Sequence, residues 1–259
     1  MSPLALEARA LRKVFGGLVA VNDISFVVRE GGVKALIGPN GAGKTTVFNL
    51  LSGLYPATGG TFLVGGRRAD GHPPHLIARM GLARTFQNVR LFGNMSVVEN
   101  VMVGWHRRGR AGFLSAVLRL PQARSEDRAA RAACLEHLAL VGLDRRADDD
   151  ALSLPFGQQR LLEIARALAG RPRLLLLDEP AAGLSTREKA DLARLVRRIG
   201  EGGVTVLLVD HDMELVMDLS DEVLVLDHGE KIAEGPPRQI QKDERVIAAY
   251  LGEEPETPG

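Results

Sequence analysis

Four short runs of the chain are apolar at nearly every position: Val33–Ile37, Leu174–Leu177, Val204–Val209 and Val223–Leu226. Runs of this length without alternation fit strands buried on both faces of a parallel sheet. The first is followed by Val47, Phe48, Leu50 and Leu51, and the second by Leu192, Leu195, Val196 and Ile199, apolar positions at helical spacing. Strands and helices therefore alternate through much of the chain, as in an α/β protein. The N-terminal part reads differently. Leu4–Val14 and Ile24–Val28 are expected as strands, joined by Phe15–Asn22 as a loop with an aromatic tip, and Thr61–Val64 as another strand closed by Gly65 and Gly66. This region is expected to be β-rich and antiparallel. A short helix over His75–Met80 and a strand over Leu82–Phe86, ending at Gln87, complete it.

From Asn88 to about Leu154 the pattern turns helical. Ser96 and Glu99 have the spacing of a capping box, in which a hydroxyl and a carboxylate each cap the start of a helix. Ser125 is expected to cap a second helix, whose apolar positions Cys134, Leu138 and Val141 recur at helical spacing. Between the two lies a basic stretch with Arg107, Arg108, Arg110, Arg119 and Arg124, interleaved with Phe113, Leu114, Val117 and Leu118. It reads either as a surface helix packed on this block or as arginines, Arg107, Arg108 and Arg110 above all, facing anionic lipid headgroups. Asp148–Asp150 is expected as a solvated turn. Beyond it come a helix over Gln158–Ala169, a second capping box at Ser185 and Glu188, a hairpin turn at Asp227-His228-Gly229 with a return strand over Lys231–Glu234, a last helix over Val246–Leu251, and a loose polar tail. No internal repeat is visible.

Composition changes this picture little. The 259 residues allow one large α/β domain or two small ones, and 45% hydrophobic with 25% charged residues is ordinary for a globular protein. A formal charge of +1 argues against a general nucleic-acid footprint. A single cysteine, Cys134, excludes an internal disulfide and fits a small buried side chain. No apolar run reaches the roughly 20 residues that span a bilayer, and residues 1–10 lack a signal-peptide core, so the expected location is the cytoplasm, with any membrane work done through a partner.

The chemistry is concentrated in a few motifs. Gly38-Pro39-Asn40-Gly41-Ala42-Gly43-Lys44-Thr45 is G-x-x-x-x-G-K-[ST], the phosphate-binding loop, placed between the first buried strand and its helix. Its glycines allow a tight turn whose N–H groups converge on phosphate oxygens, and the following helix start adds partial positive charge. Lys44 is positioned to reach the β- and γ-phosphates of a nucleoside triphosphate, and the Thr45 hydroxyl to ligate Mg²⁺. Asp178, at the end of the most apolar strand, supplies a carboxylate for the metal, and Glu179 beside it a base or polariser for an attacking water. His211, just after Val204–Val209, can donate a hydrogen bond to the γ-phosphate or to Glu179. His72, His75, His106, His137 and His228 show no ligand spacing and receive no role.

The order of these motifs resembles that of the ATP-binding cassette (ABC) ATPases over about Leu4–Gly252. Phe15 matches the aromatic residue that stacks on adenine, Gly38–Thr46 the Walker A motif through Thr46, and Gln87 the glutamine that touches Mg²⁺ and the membrane subunit. Leu154-Pro155-Phe156-Gly157-Gln158 matches the signature, Asp178 and Glu179 Walker B, Ala182–Ser185 the D-loop, and His211 the switch histidine. The runs Arg84–Phe92, Pro155–Arg160, Asp178–Leu184 and His211–Met217, with the ending Ala249-Tyr250-Leu251-Gly252, are similar to the ATPases of branched-chain amino-acid importers. The resemblance implies a P-loop NTPase (RecA-like) α/β core with an antiparallel β-subdomain and an all-helical subdomain inserted over about 88–157. Residues 4–252 would form one cassette domain and 253–259 a flexible tail.

By the same resemblance the ligands are ATP and Mg²⁺. The partners are membrane permease subunits, a second ABC ATPase subunit and, indirectly, an extracytoplasmic solute-binding protein, with the chain peripheral on the inner face of the membrane. The family works as a head-to-tail dimer, each ATP lying between Walker A of one cassette and the signature of the other, here Gly157 and Gln158. Two positions depart from the common pattern: Pro155 and Phe156 replace the Ser and first Gly of Leu-Ser-Gly-Gly-Gln, and Ser185 stands where the D-loop usually ends in Asp. Both act on the partner's nucleotide. One expectation is a heterodimer with unequal sites, and the other that Gly157, Gln158 and the helix end suffice, also in a homodimer. A soluble ABC ATPase acting on nucleic acid or the ribosome is the rival reading. Such chains usually carry two cassettes or a long coiled-coil insertion, and neither is present.

Overall fold

The computed structural model describes residues 3–106 and 121–251, without the side chains of 106 and 121–127. The readings of Arg107, Arg108, Arg110, Phe113, Leu114, Val117, Leu118 and Arg119, of the side chains of Arg124 and Ser125, and of the tail from 252 onward lie outside the described residues. The chain divides into two compact units. The first comprises residues up to Arg84, Arg173–Ala182 and the chain from Val196; the second comprises Thr85–Pro172 and Gly183–Leu195.

The first unit contains two sheets. Strands β1 (Leu4–Phe15) and β2 (Leu18–Arg29) pair antiparallel, and β1 also pairs with β4 (Gly59–Val64), which carries the two-residue strand β5 (Arg67–Arg68) on its far edge. The other sheet has the order β10-β9-β3-β8-β7-β6. It is built from β3 (Val33–Ile37), β6 (Leu82–Arg84), β7 (Leu174–Asp178), β8 (Thr205–Val209), β9 (Glu222–Asp227) and β10 (Glu230–Gly235). Every pairing in it is parallel except that of β9 with β10. All positions of β3, β7 and β8 are buried, as their continuous apolar runs require. Helix α1 (Lys44–Leu51) contributes Val47, Phe48, Leu50 and Leu51 to one apolar cluster shared with side chains of both sheets. Fully burying such a side chain stabilises the fold by about 1.5–3 kcal/mol. The other helices given wholly or partly by this unit are α2 (Pro74–Arg79), the end of α6 (Thr186–Glu201), α7 (Met213–Leu219), α8 (Pro237–Ile240) and α9 (Glu244–Leu251).

The expected loop over Phe15–Asn22 is a correction. Phe15 pairs directly with Leu18 across a two-residue turn at Gly16-Gly17, and β2 begins at Leu18. The alternation of Val19 and Val21, with Val21 buried, already belongs to the strand. Lys34 is the one charged residue of β3. It is 3% exposed, and its Nζ donates to Val27 O and Glu222 Oε2 at 2.8 Å each, and to Glu234. Placing it there satisfies the ammonium on three sides, which makes burial tolerable.

The second unit holds α3 (Val97–His106), α4 (Pro121–Leu140), α5 (Phe156–Ala169) and the start of α6. The capping box at α3 forms: Ser96 N donates to Glu99 Oε2 at 2.7 Å, and Glu99 N to Ser96 Oγ at 3.4 Å. The one at α6 forms likewise, with Ser185 N and Oγ both donating to Glu188 Oε2. Helix α4 already includes the residues from Pro121 onward, so Ser125 lies inside it rather than at its cap, a second correction.

Candidate functional site: the phosphate loop and its surroundings

β3 runs directly into the phosphate loop, and two of its glycines are dictated by space. Gly38 has φ 149°, and a Cβ there would fall 2.1 Å from Leu226 O; Gly43 has φ 100°, and a Cβ would fall 2.5 Å from Ala20 O. A side chain at either position would push backbone away. The loop is further tied to β2 and to the β9–β10 turn: Gly229 N donates to Ala42 O, and Asn22 N to Gly229 O. That turn places both His228 (φ 44°) and Gly229 (φ 79°) in the left-handed region, the geometry of a tight hairpin.

Around the loop lies a cavity of about 530 Å³, lined by Phe15, Leu18, Val19, Ala20, Asn40–Thr46, Glu179, His211 and His228. Lys44 is 7% exposed, and its Nζ donates to Gly38 O at 2.6 Å and Pro39 O at 2.8 Å. Gly38 and Pro39 thus shape the loop from beneath rather than lining the cavity. Phe15 is 40% exposed and sits edge-to-face with Tyr55 (5.3 Å, 81°), with Lys13 Nζ 4.7 Å from its ring centroid.

Glu179 and His211 are brought to the cavity by adjacent parallel strands. Asp178 pairs in register with Val209, and Glu179 N donates to Val209 O at 2.8 Å. His211 Nε2 then lies 2.9 Å from Glu179 Oε1. Asp210 fixes the turn between them. It is 5% exposed and accepts from Ala181 N at 2.9 Å and Asp212 N at 3.0 Å, while burial pushes its carboxyl above the usual range. Asp178 does not line the cavity. It is buried, and its Oδ2 accepts from Arg84 Nη2 at 2.7 Å.

Three expected residues belong to the second unit. Gln87 is exposed there. Gly157 is buried, and a Cβ on it would meet Glu188 Oε1 at 2.3 Å, so the capping carboxylate of α6 occupies the space a side chain would need. The Gln158 side chain accepts from Arg146 Nη1 at 2.7 Å, and α5 starts from Pro155, whose carbonyl takes the Gln158 and Gln159 N–H groups. Phe156 is 49% exposed and rests against Gly183.

Several residues around the cavity were missed by pattern reading. Leu18, Val19 and Ala20 follow from the hairpin, and Gly16-Gly17 between alternating segments was the available signal. Tyr55, Asp210 and His228 carry no sequence signal of their own; each is recruited by its place beside a motif.

The family model of the ABC transporter matches residues 21–182, and a model described as branched-chain amino acid ATP-binding cassette transporter matches residues 230–256. The chain belongs to the ABC transporter family. It is 48% identical over 98% of its length to the whole of BraF, the high-affinity branched-chain amino acid transport ATP-binding protein of Pseudomonas aeruginosa. It is 44% identical, with the same coverage, to LivG of Escherichia coli, which carries the same description. Among solved structures, the ADP conformation of MJ1267, an ATP-binding cassette of an ABC transporter, superposes with a TM-score of 0.84 at 27% identity, covering 98% of this chain and all of that one. As an ABC transporter ATP-binding protein, this cassette binds nucleotide and is an ATPase. Its fold is that of the P-loop NTPases. The oxygen donors Thr45, Gln87 and Asp178 suit Mg²⁺. Among the described residues no group of three or more His, Cys, Asp or Glu side chains could hold a metal ion.

Proposed function

We propose that this cassette hydrolyses ATP to power branched-chain amino acid import through membrane permease subunits. The observation that carries the catalytic part is the Glu179–His211 pair at the edge of the cavity lined by the phosphate loop. The similarity to BraF and LivG supports the solute class.

In this reading Phe15 stacks on adenine. On the turn shaped by Gly38 and Pro39, the N–H groups from Asn40 and Gly41 through Ala42, Gly43 and Lys44 to Thr45 and Thr46 surround the phosphates. Lys44 exchanges the Gly38 and Pro39 carbonyls for β- and γ-phosphate oxygens. Thr45, Asp178 and Gln87 would hold Mg²⁺, which when bound neutralises phosphate charge. Glu179 takes the proton of the attacking water, and His211 orients Glu179 and donates toward the γ-phosphate. Gly157 and Gln158 act on the nucleotide of a second cassette, so residues 4–252, with a helical insertion over about 88–157, work as one cassette of a dimer. Among the described residues no helix is long and apolar enough to cross a membrane, which supports attachment to the inner face through the permease. A solute-binding protein acts indirectly. The net charge of +1 gives no support to nucleic-acid or ribosome binding.

Pro155 has no hydroxyl for the partner's γ-phosphate, a hydrogen bond of about 1.5–3 kcal/mol when the acceptor is charged. In a heterodimer with a cassette that carries the full signature, the site completed by this chain's Pro155–Gln158 is the slower one; in a homodimer Gly157, Gln158 and the helix end suffice at both. Unchanged ATP turnover of the assembled complex on Pro155→Ser would remove that asymmetry.

The deciding experiment is Mg-ATP turnover by the purified chain beside Glu179→Gln, with size exclusion in ATP. Turnover in the wild type, with loss of activity and dimerisation in the variant, is expected if the chain pairs with itself. ATP binding by an idle monomer would mean that a second, different cassette is required. No ATP binding would overturn the reading.

A further inference from the structure

Arg84 is the last residue of β6 and ends the first of the three segments that make up the first unit; the chain passes at Thr85 into the segment that carries Gln87. Its guanidinium is held from three directions. Nη2 donates to Asp178 Oδ2 at 2.7 Å, and Nη1 donates to Asn49 Oδ1 at 2.8 Å and Ser52 Oγ at 2.9 Å. Its carbon lies 5.5 Å from the Phe48 ring centroid. The side chains of Arg84 and Asp178 are each 6% exposed. Asn49 and Phe48 lie on α1, the helix that begins at Lys44, and Ser52 is its C-cap. One planar cation therefore joins the end of β7, the phosphate-loop helix and the strand leading to Gln87.

We propose that Arg84 is a positioning residue for Asp178, fixing which way the Walker B carboxylate faces when a cation arrives with the nucleotide. The proposal rests on the reading of Asp178 as a Mg²⁺ ligand. An aspartate side chain has two soft torsions, and a cation with strict octahedral demands binds best to an oxygen already in place. A charge-assisted bond of 2.7 Å to one carboxylate oxygen removes that freedom, and the α1 acceptors remove the freedom of the guanidinium itself. The fork is what permits this: two nitrogens of one rigid plane reach the carboxylate and the helix at once, which a lysine cannot do.

The test is a Mg²⁺ titration of the purified chain in the presence of ATP, reading nucleotide affinity by calorimetry, with Mg²⁺-free ATP affinity measured separately and folding checked by thermal melting. Arg84→Gln is expected to leave Mg²⁺-free ATP affinity within about twofold while raising the Mg²⁺ midpoint about tenfold. Arg84→Lys is expected to fall between the two. Asn49→Ala keeps the ion pair and removes one anchor of the guanidinium; it is expected to raise the midpoint about threefold, and it decides the matter if Arg84→Gln does not fold. An unchanged midpoint in the folded variants would reduce Arg84 to a structural role. A lowered midpoint would show the guanidinium competing with the cation, and would equally overturn the proposal. Asp178→Asn distinguishes the underlying reading: if it leaves the Mg²⁺ dependence intact, Asp178 is not a metal ligand, whatever Arg84 does.

Discussion

Glu179 Oε1 lies 2.9 Å from His211 Nε2, and Glu179 reaches this position only with φ at 46°. A non-glycine residue there is strained by about 1–3 kcal/mol, and the surrounding bonds, Glu179 N to Val209 O among them, hold it in place. Glu179→Gly should therefore raise thermal stability, by about 1 kcal/mol, while lowering ATP turnover at least about 100-fold. Melting curves and steady-state hydrolysis on the same preparation check both halves. A variant that is destabilised, or that still turns over, contradicts this account of the strain.

Arg160 and Glu163 form a buried pair on α5, each 2% exposed. Arg160 Nη1 donates to Phe86 O at 2.8 Å, and Glu163 accepts from the backbone of Phe86 and Arg90. Burial holds the Glu163 carboxyl above its ordinary value despite the neighbouring Arg166 and Arg160. Arg160→Met should cost about 3 kcal/mol, because it leaves the buried carboxyl with Arg166 alone as its cation and Phe86 O without its donor. Adding Glu163→Leu should recover at least about 1 kcal/mol, so the double variant is less damaged than the sum. Urea unfolding of the four proteins of the cycle measures this; additive losses would mean that the pair does not act as one unit.

Cys134 is fully buried, and desolvation pushes its thiol from 9.0 up to about 11. At pH 8 its thiolate fraction is about 100-fold below that of the unfolded chain, so alkylation by iodoacetamide should slow by at least that factor on folding. The linkage has a definite sign. Below pH 9 both states hold the proton. Between pH 9 and about 11 only the unfolded state loses it, so folding stability falls with rising pH by roughly 2–3 kcal/mol. Cys134→Ala should remove that slope, as unfolding at a series of pH values will show.

The buried strands and the phosphate loop were legible because each rests on a local rule: a continuous apolar run, or glycines at fixed offsets. Glu179 and His211 could be named as candidates for the same reason. Their pairing was one of two partners open to His211, the γ-phosphate being the other, and the choice depends on β7 and β8 being neighbours, which nothing near either residue encodes. The capping boxes at Ser96 and Ser185 were readable, since donor and acceptor lie three residues apart. Ser125 misled because a capping residue type inside a helix looks the same in sequence as one at its start. Lys34, Arg84 and Asp210 are the polar residues whose roles stayed hidden. Their partners, such as Glu222 and Glu234 for Lys34 and Asp178 for Arg84, are remote along the chain.

The Gly229 peptide group accepts from Asn22 and donates to Ala42. β3, which leads into the phosphate loop, has β8 and β9 as its two neighbours. On a ribosome the loop emerges before β8, β9 and the Gly229 brace, all of which lie far downstream of it along the chain. The nucleotide pocket of this protein is therefore a late product of synthesis, and a nascent chain truncated before Gly229 carries the motif without the site.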